Sequence, residues 1–357
     1  MSSSTTMRSL LSPRRVSILY LLAAEFVIFG LWNPDLFLST VTMQNVASSQ
    51  AVVGILALAA LVPFIAGEFD ITIGTNMALS AAIVAQQTSQ HPDRSLLLIC
   101  VVAVIACGVV GLANGLIVAR LNVNSFITTL AMSQVLAALA LKISENQQVL
   151  AKLPQGFVDA GQGKHWGIPN AAYCTLVLGV VLWYVLGHTV LGRHLFAAGA
   201  NREAARLSGI RTEGLVIGSF VASGLIAGVA GVVYIAQIGT FSNSVGAPFI
   251  FPAFAAIFLG ATQFNFRPNV LGTLLAIFTL ALGVQGLQLS SDTGQFWITP
   301  MFNGVALLIA VVFSRRQAAA PLAADAADPQ VDSEAGPAVG DAGADLSAAD
   351  DRATVHD

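Results

Sequence analysis

The sequence predicts an all-α fold: a polytopic integral membrane helical bundle of about ten transmembrane helices, with eight or nine as the alternative counts. Hydrophobic residues make up 55% of the 357 positions and charged residues only 10%, whereas a soluble domain carries about 25% charged residues. Apolar runs of about 17–25 residues, the length that crosses a hydrocarbon core of roughly 30 Å, recur along the chain. Arginine and lysine also alternate between loops in the pattern of a multi-pass membrane protein.

The candidate spans are 16–32, 51–67, 70–86, 95–118, 125–142, 171–187, 214–238, 249–263, 269–290 and 296–314. The first follows Arg8, Arg14 and Arg15 and ends in Asn33-Pro-Asp35 rather than a small-residue cleavage site. It reads as a retained span behind a cytoplasmic segment, 1–15. The second and third are parted only by Gly67-Glu-Phe-Asp70. In the fourth, Gly111 and Gly115 stand at helical contact spacing, as Gly224 and Gly228 do in the seventh; in lipid such residues let backbones approach closely. The loop 143–170 is long and polar enough to form a small external cap, and 188–213 is the largest cytoplasmic loop. Pro248 and Pro252 make the eighth span a candidate broken or re-entrant helix, a form tolerated only when buried in protein or beside a wet cavity. The transmembrane domain therefore covers 16–316, followed by a tail, 317–357, whose Ala, Asp, Gly and Pro content predicts disorder.

That tail holds nine of the 19 acids against Arg352 alone, so the remainder carries a balance of +5. With ten spans and the N-terminus inside, the cytoplasmic set is Arg8, Arg14, Arg15, Arg120, Arg193, Arg202, Arg206, Arg211, Arg267, Arg315 and Arg316. Only Arg94, Lys142, Lys152 and Lys164 lie outside. This bias predicts both termini on the cytoplasmic side of a bacterial inner membrane. It suggests no nucleic-acid partner.

Catalysis finds no support in the residues. The stretch nearest a phosphate-binding loop, Gly161-Gln-Gly-Lys164, lacks the upstream glycine and the following hydroxyl. The histidines have no metal-ligand spacing, and Cys100, Cys107 and Cys174 read as small apolar packing residues. No metal site, bound cofactor or catalytic residue is expected. Charge inside a span is costly, which singles out Glu25, Glu68 and Asp70. Asp70 with Thr72 reads either as a helix start or as part of a pathway. Asn76, Asn114, Asn124 and Thr128, with Gln134, Gln285 and Asn303, suit a hydrated route for a neutral polar solute; interhelical hydrogen bonding is the other reading. The charged, helix-prone stretch 200–209 reads as a docking element for a soluble partner.

Three blocks resemble the permeases of monosaccharide ABC importers, the ribose-type class, which are related to branched-chain amino-acid permeases. The first is Gly67-Glu-Phe-Asp-Ile-Thr-Ile-Gly74, with Met77-Ala-Leu-Ser80 after it. The second is Ala113-Asn-Gly-Leu-Ile-Val-Ala119, running on to Val123-Asn-Ser-Phe-Ile-Thr-Thr-Leu130. The third, Gly192-Arg193 through Ala197–Asn201 and Glu203–Gly209, is similar to the family's coupling loop. The resemblance extends from about 36 to 314, including Leu259-Gly-Ala-Thr262 and Val270-Leu-Gly-Thr273. It implies the permease subunit of an ATP-driven importer for a sugar or sugar-like solute, with ATP and magnesium bound by a separate ABC ATPase. A periplasmic or lipid-anchored solute-binding protein, a second permease copy (identical or not) and membrane lipid are the other partners it implies.

By the same resemblance Asn201, Glu203, Ala204, Ala205 and Gly209 form the ATPase-coupling element, with Glu203 capping its helix and Gly209 permitting the turn out of it. The chain departs from the family at Glu68, where glycine is usual, and at Asn124-Ser125, where proline is. It departs again through Phe251, Phe254, Phe264 and Phe266, in a segment that usually carries two acids and a Gly/Ser-rich turn. Two rival classes stay open on the residues: an ion-coupled secondary carrier using Glu25, Glu68 or Asp70, and a non-transporting scaffold whose loop recruits a partner.

Overall fold

The computed structural model describes residues 17–263, 267–290 and 296–325. Its first half runs α1 (Ser17–Trp32), α2 (Pro34–Phe37), α3 (Thr40–Ile65), α4 (Ile73–Gln90), α5 (Leu96–Arg120) and α6 (Ser125–Ile143). A small lobe of β1 (Val149–Leu150), α7 (Gln155–Gln162), β2 (Lys164–His165) and β3 (Ile168–Pro169) leads into α8 (Asn170–His188). Two short helices follow, α9 (Val190–Ala200) and α10 (Arg202–Leu207), and then α11 (Thr212–Ile238) and β4 (Thr240–Phe241). The remaining helices are α12 (Ala247–Ala261), α13 (Val270–Leu289) and α14 (Ile298–Asp325).

Six of these, α3, α5, α6, α8, α11 and α13, are long and apolar enough to cross a membrane. Ile18–Trp32, Ala247–Ala261 and Ile298–Ile309 are shorter apolar helices. The architecture is a membrane helical bundle. Its middle is α3, whose residues 51–61 are buried on every side, as expected of a helix apolar all round. α4 is less apolar, yet Asn76, Ser80 and Thr88 on it are buried against other helices. The large side chains left exposed, such as Leu97, Val109 and Val180, lie on the apolar outer faces of α5 and α8.

The four packing glycines meet in one crossing of α5 with α11. A methyl added at Gly111 would strike the Phe220 carbonyl oxygen, and one at Gly224 the Cys107 carbonyl oxygen. At Gly115 it would lie 2.8 Å from the Ile217 Cα, and at Gly228 2.9 Å from the Val104 Cα.

Two elements differ from the sequence expectation. α3 begins at Thr40 rather than 51, capped by Ser39, which accepts the Thr42 N–H at 3.2 Å. Its first turns carry Gln44, Asn45, Ser48 and Ser49, which hide a helix from hydropathy alone. α12 is continuous through Pro252 rather than broken; Pro248 sits in the first turn, where an N–H has no helical partner in any case. Its 15 residues span only about 22 Å at ~1.5 Å per residue.

At one end of the bundle β1 pairs antiparallel with β4, Val149 opposite Phe241. β2 and β3 form a hairpin turned by Trp166 and Gly167, both at positive φ (47° and 80°), as a type I′ turn requires. By contacts the chain divides into Met1–Arg315 and Arg316–Asp357. α14 runs on through 317–325, the start of the stretch expected to be disordered; its alanines have the highest intrinsic helix propensity. The rest of that tail and the N-terminal segment 1–15 lie outside the described residues.

Candidate functional site

α3 stops at a glycine. Gly67 takes φ 84°; its N–H reaches the Phe64 carbonyl at 3.1 Å while the Glu68 N–H reaches that of Pro63 at 2.9 Å. This is a Schellman end. The chain then runs without helix to Thr72 inside the bundle, where every backbone polar group needs a partner. Phe69 donates its N–H to Ser125 Oγ at 3.1 Å, and Ile71 donates to Thr129 Oγ1 at 3.2 Å. Asp70, 1% exposed, gathers the rest. Its Oδ1 accepts the Thr72 N–H at 3.0 Å and also the Thr72 hydroxyl, while Oδ2 accepts the Ser223 hydroxyl of α11 at 2.7 Å. Asn114 of α5 donates to Thr72 Oγ1 at 3.2 Å. One turn further on, Asn76 donates to the Cys107 carbonyl and the Cys107 thiol donates back to that of Asn76, both at 3.3 Å.

Three helices are thus tied to the junction by polar bonds rather than by packing alone. Asn76 Oδ1 and Asn114 Oδ1 are buried with no hydrogen-bond partner among the described residues. Each such atom costs about 1–3 kcal/mol, an arrangement that native interiors rarely keep without a use for it.

Of the pathway candidates Asp70, Thr72, Asn76, Asn114, Asn124 and Thr128, the structure joins the first four. Asn124 and Thr128 stand apart: Asn124 caps α6 by accepting the Ile127 N–H at 3.2 Å, and Thr128 donates to the Asn124 carbonyl at 2.9 Å. Their neighbours Ser125 and Thr129 hold the junction instead. Ser223 was equally invisible among the small residues of α11; its i,i+4 relation to the buried Ser219 was the available signal. Asp70 also does not start a helix. α4 begins at Ile73, and the carboxylate fixes the approach to it.

The phenylalanine departures divide. Phe69 meets Phe64, Phe254 and Phe258 with ring centroids 5.5, 6.3 and 6.3 Å away, so Phe254 seals α12 onto the junction. Phe251 is 61% exposed, and Phe264 and Phe266 lie outside the described residues. Glu25 is buried between α1 and α13, where a methyl added at Gly283 would lie 2.9 Å from its Oε1.

A cavity of about 500 Å³ opens at the end of the bundle where α3 begins, lined by Gln44, Asn45, Ser48, Gln162, Tyr234, Gln237 and Phe249. A second, of about 220 Å³, shares Ser49 and Phe249 with it and reaches Gln50, Thr299 and Asn303. The polar lining is neutral except for Lys164, whose Nζ donates to Gln44 Oε1 at 2.6 Å. Asn303, expected on a hydrated route, lines the second cavity, whereas Asp70, Thr72, Asn76, Asn114, Asn124 and Thr128 line neither. Gln44 and Ser48, like Asn45 and Ser49, are four residues apart and so share a helix face.

At the opposite end of α3 lie α9 and α10. Asn201, extended at φ −156°, caps α10 by accepting the Ala204 N–H at 2.9 Å. This corrects the expectation that Glu203 is the cap, since only a residue ahead of the first turn can reach that N–H. Glu203 instead pairs with Arg206 at 2.8 Å, both about two-thirds exposed. Ala204 supplies the capped N–H, and Ala205 is buried. Gly209, at φ 84°, closes the helix: its N–H meets the Arg206 carbonyl at 2.9 Å and the Ile210 N–H that of Ala205 at 3.1 Å. A Cβ added there would meet nothing within 4 Å, so the glycine serves conformation and not space.

Polar groups held at the centre of an apolar bundle, with a capped surface helix at one end and a cavity of mostly uncharged polar lining at the other, fit a membrane permease. The chain belongs to the family described as branched-chain amino acid transport system / permease component, which matches residues 42–312. It is similar to the fructose import permease protein FrcC of Rhizobium meliloti, 30% identical over 314 residues that cover 85% of this chain and 86% of that one. It is similar also to the ribose import permease protein RbsC of Bacillus subtilis, 28% identical over 82% of this chain and 90% of that one. A third relative is the L-arabinose ABC transporter permease protein AraH of Azospirillum brasilense, 30% identical over 84% and 87% of the two chains. No solved structure matches. The protein is a multi-pass permease subunit of an ABC importer.

Proposed function

We propose that this permease imports a monosaccharide or a similarly hydroxyl-rich neutral solute. The observation that carries the reading is the cavity at the start of α3, where the one charge, Lys164, is bonded to Gln44 and where amides and hydroxyls stand beside the rings of Tyr234 and Phe249. Sugar hydroxyls pair with amide donors and acceptors, and the apolar face of a sugar ring packs on aromatic carbon. Few, convergent polar groups in a concave, partly aromatic site are the usual form of a small-molecule site. The relatives named for fructose, ribose and L-arabinose support the same class.

In this reading ten helices span a bacterial inner membrane: α1, α3, α4, α5, α6, α8, α11, α12, α13 and α14. Both termini are cytoplasmic, the permease domain is 16–316, and 317–357 is a dispensable acidic tail. A periplasmic or lipid-anchored binding protein delivers solute at the cavity end, and a second permease copy completes the pathway. A separate ATPase, which alone binds ATP and magnesium, seats α10 by its surface from Glu203 to the turn at Gly209, where Leu207 is 80% exposed. Its closure moves α10 and tilts the spans.

The test is purification of the tagged chain from its native membranes in mild detergent, followed by uptake in proteoliposomes. A stoichiometric ATPase and ATP-dependent uptake of a labelled pentose or hexose are expected. A chain that purifies alone and transports without ATP would make it a secondary carrier. Gly209→Val supplies a sharper test, because a branched residue in the left-handed region costs roughly 1–2 kcal/mol with no steric clash to confuse the result. That variant will insert normally but lose uptake, while Gly209→Asn, tolerated in the same region, will keep most of it. Equal uptake by Gly209→Val and the parent would refute a coupling role for the turn.

A further inference from the structure

Glu68 stands between the Gly67 turn and Asp70. Its Oε1 lies 3.0 Å from Nη1 of Arg202, the first residue of α10, and the two are 134 positions apart in sequence. The Glu68 side chain is 13% exposed and that of Arg202 40%. Among the described residues the other ion pair, Glu203–Arg206, stays within one helix.

A second contact reinforces this one. A methyl at Gly67 would lie 3.4 Å from the Gly199 Cα, and one at Gly199 would strike the Ile65 carbonyl oxygen. The end of α9 and the start of α10 are therefore seated directly on the end of α3 and the junction beyond it. From Glu68 the chain passes to Phe69, bonded to Ser125 of α6, and then to Asp70, bonded to Ser223 of α11.

We infer that the Glu68–Arg202 pair is a transmission latch, positioning the junction so that a displacement of α10 is delivered to Asp70 and through it to α6 and α11. The inference rests on the reading of α10 as the element an ATPase seats. The Arg202 end of the pair is open to water, which takes the place of the guanidinium at the carboxylate when the pair is broken. Its loss therefore removes the charged link and leaves the Gly67–Gly199 backbone contact in place. The Gly67–Gly199 contact is a poor substitute, because two residues without side chains meet there with no bond to carry a pull.

The experiment compares Glu68→Gln, Arg202→Gln and the reversed pair Glu68→Arg with Arg202→Glu. Each is co-purified with its ATPase, and solute transported per ATP hydrolysed is measured in proteoliposomes. Both single variants will insert and retain the ATPase, with the transport ratio lowered about tenfold, within the range of ordinary coupling energies. The reversed pair will recover most of that ratio, which a purely structural role for either residue does not predict. Parental ratios in both single variants, or a reversed pair no better than the singles, would overturn the latch. Loss of the ATPase from Arg202→Gln would overturn it as well, making Arg202 a docking contact. If the parent chain itself carried no ATPase, the docking reading would fail first and the latch with it.

Discussion

Replacing Gly224 with leucine will all but eliminate folded protein. The atoms a side chain would meet there are backbone: the Cys107 carbonyl oxygen and, at 3.3 Å, the Gly111 Cα. Overpacking costs about 1–3 kcal/mol where neighbouring side chains can give way, and here none can. α5 and α11 would have to separate along their whole crossing, losing the close backbone approach that drives association where lipid is as apolar as leucine. Gly218 lies on the same helix but has nothing within 4 Å of an added Cβ, so Gly218→Leu is the control. Size-exclusion chromatography in mild detergent is the measurement. A single sharp peak at parental yield for Gly218→Leu, with aggregate or no protein for Gly224→Leu, is expected. Parental behaviour of Gly224→Leu would mean that the crossing does not hold the bundle.

Asp70→Ala is the second large effect. It strands three buried donors, the Thr72 N–H, the Thr72 hydroxyl and the Ser223 hydroxyl. At about 1–3 kcal/mol for each unsatisfied group, the loss is at least ~3 kcal/mol, enough to lower the melting temperature of the purified protein sharply. Asp70→Asn separates charge from bonding. Its remaining oxygen can accept both Thr72 donors, and its amide can donate to Ser223 once that hydroxyl rotates. The asparagine variant will melt close to the parent, within roughly 1 kcal/mol. An asparagine variant as unstable as the alanine variant would show instead that the carboxylate's charge, rather than its bonds, holds the junction.

Much of this was legible in the chain. Hydropathy located the apolar helices, because each must cross the same thickness of hydrocarbon. The spacing of Gly111 with Gly115 and of Gly224 with Gly228 marked two faces for close approach. Asn201 and Gly209 bracket a short helix by rules that act within a few residues. Where local rules ran short the errors were local too. Gln44, Asn45, Ser48 and Ser49 lower hydropathy and hide the start of α3, and the same residues line the cavity there. Glu203 was credited with a cap that belongs to the residue two places earlier. Asn124 and Thr128 were chosen by residue type, whereas the face turned toward the junction is that of Ser125 and Thr129.

The sequence by itself determined that this is a membrane helical bundle, where its apolar helices lie, and how the exposed helix between α9 and α11 ends. Each of these depends on transfer from water to lipid or on hydrogen bonds between near neighbours. Only the tertiary structure decided which polar groups meet. Asp70 finds Ser223 across 153 positions and Glu68 finds Arg202 across 134. In a low-dielectric interior every buried polar atom is driven to find a partner. Composition and spacing announce that need, but the partner is chosen by which helix faces pack together.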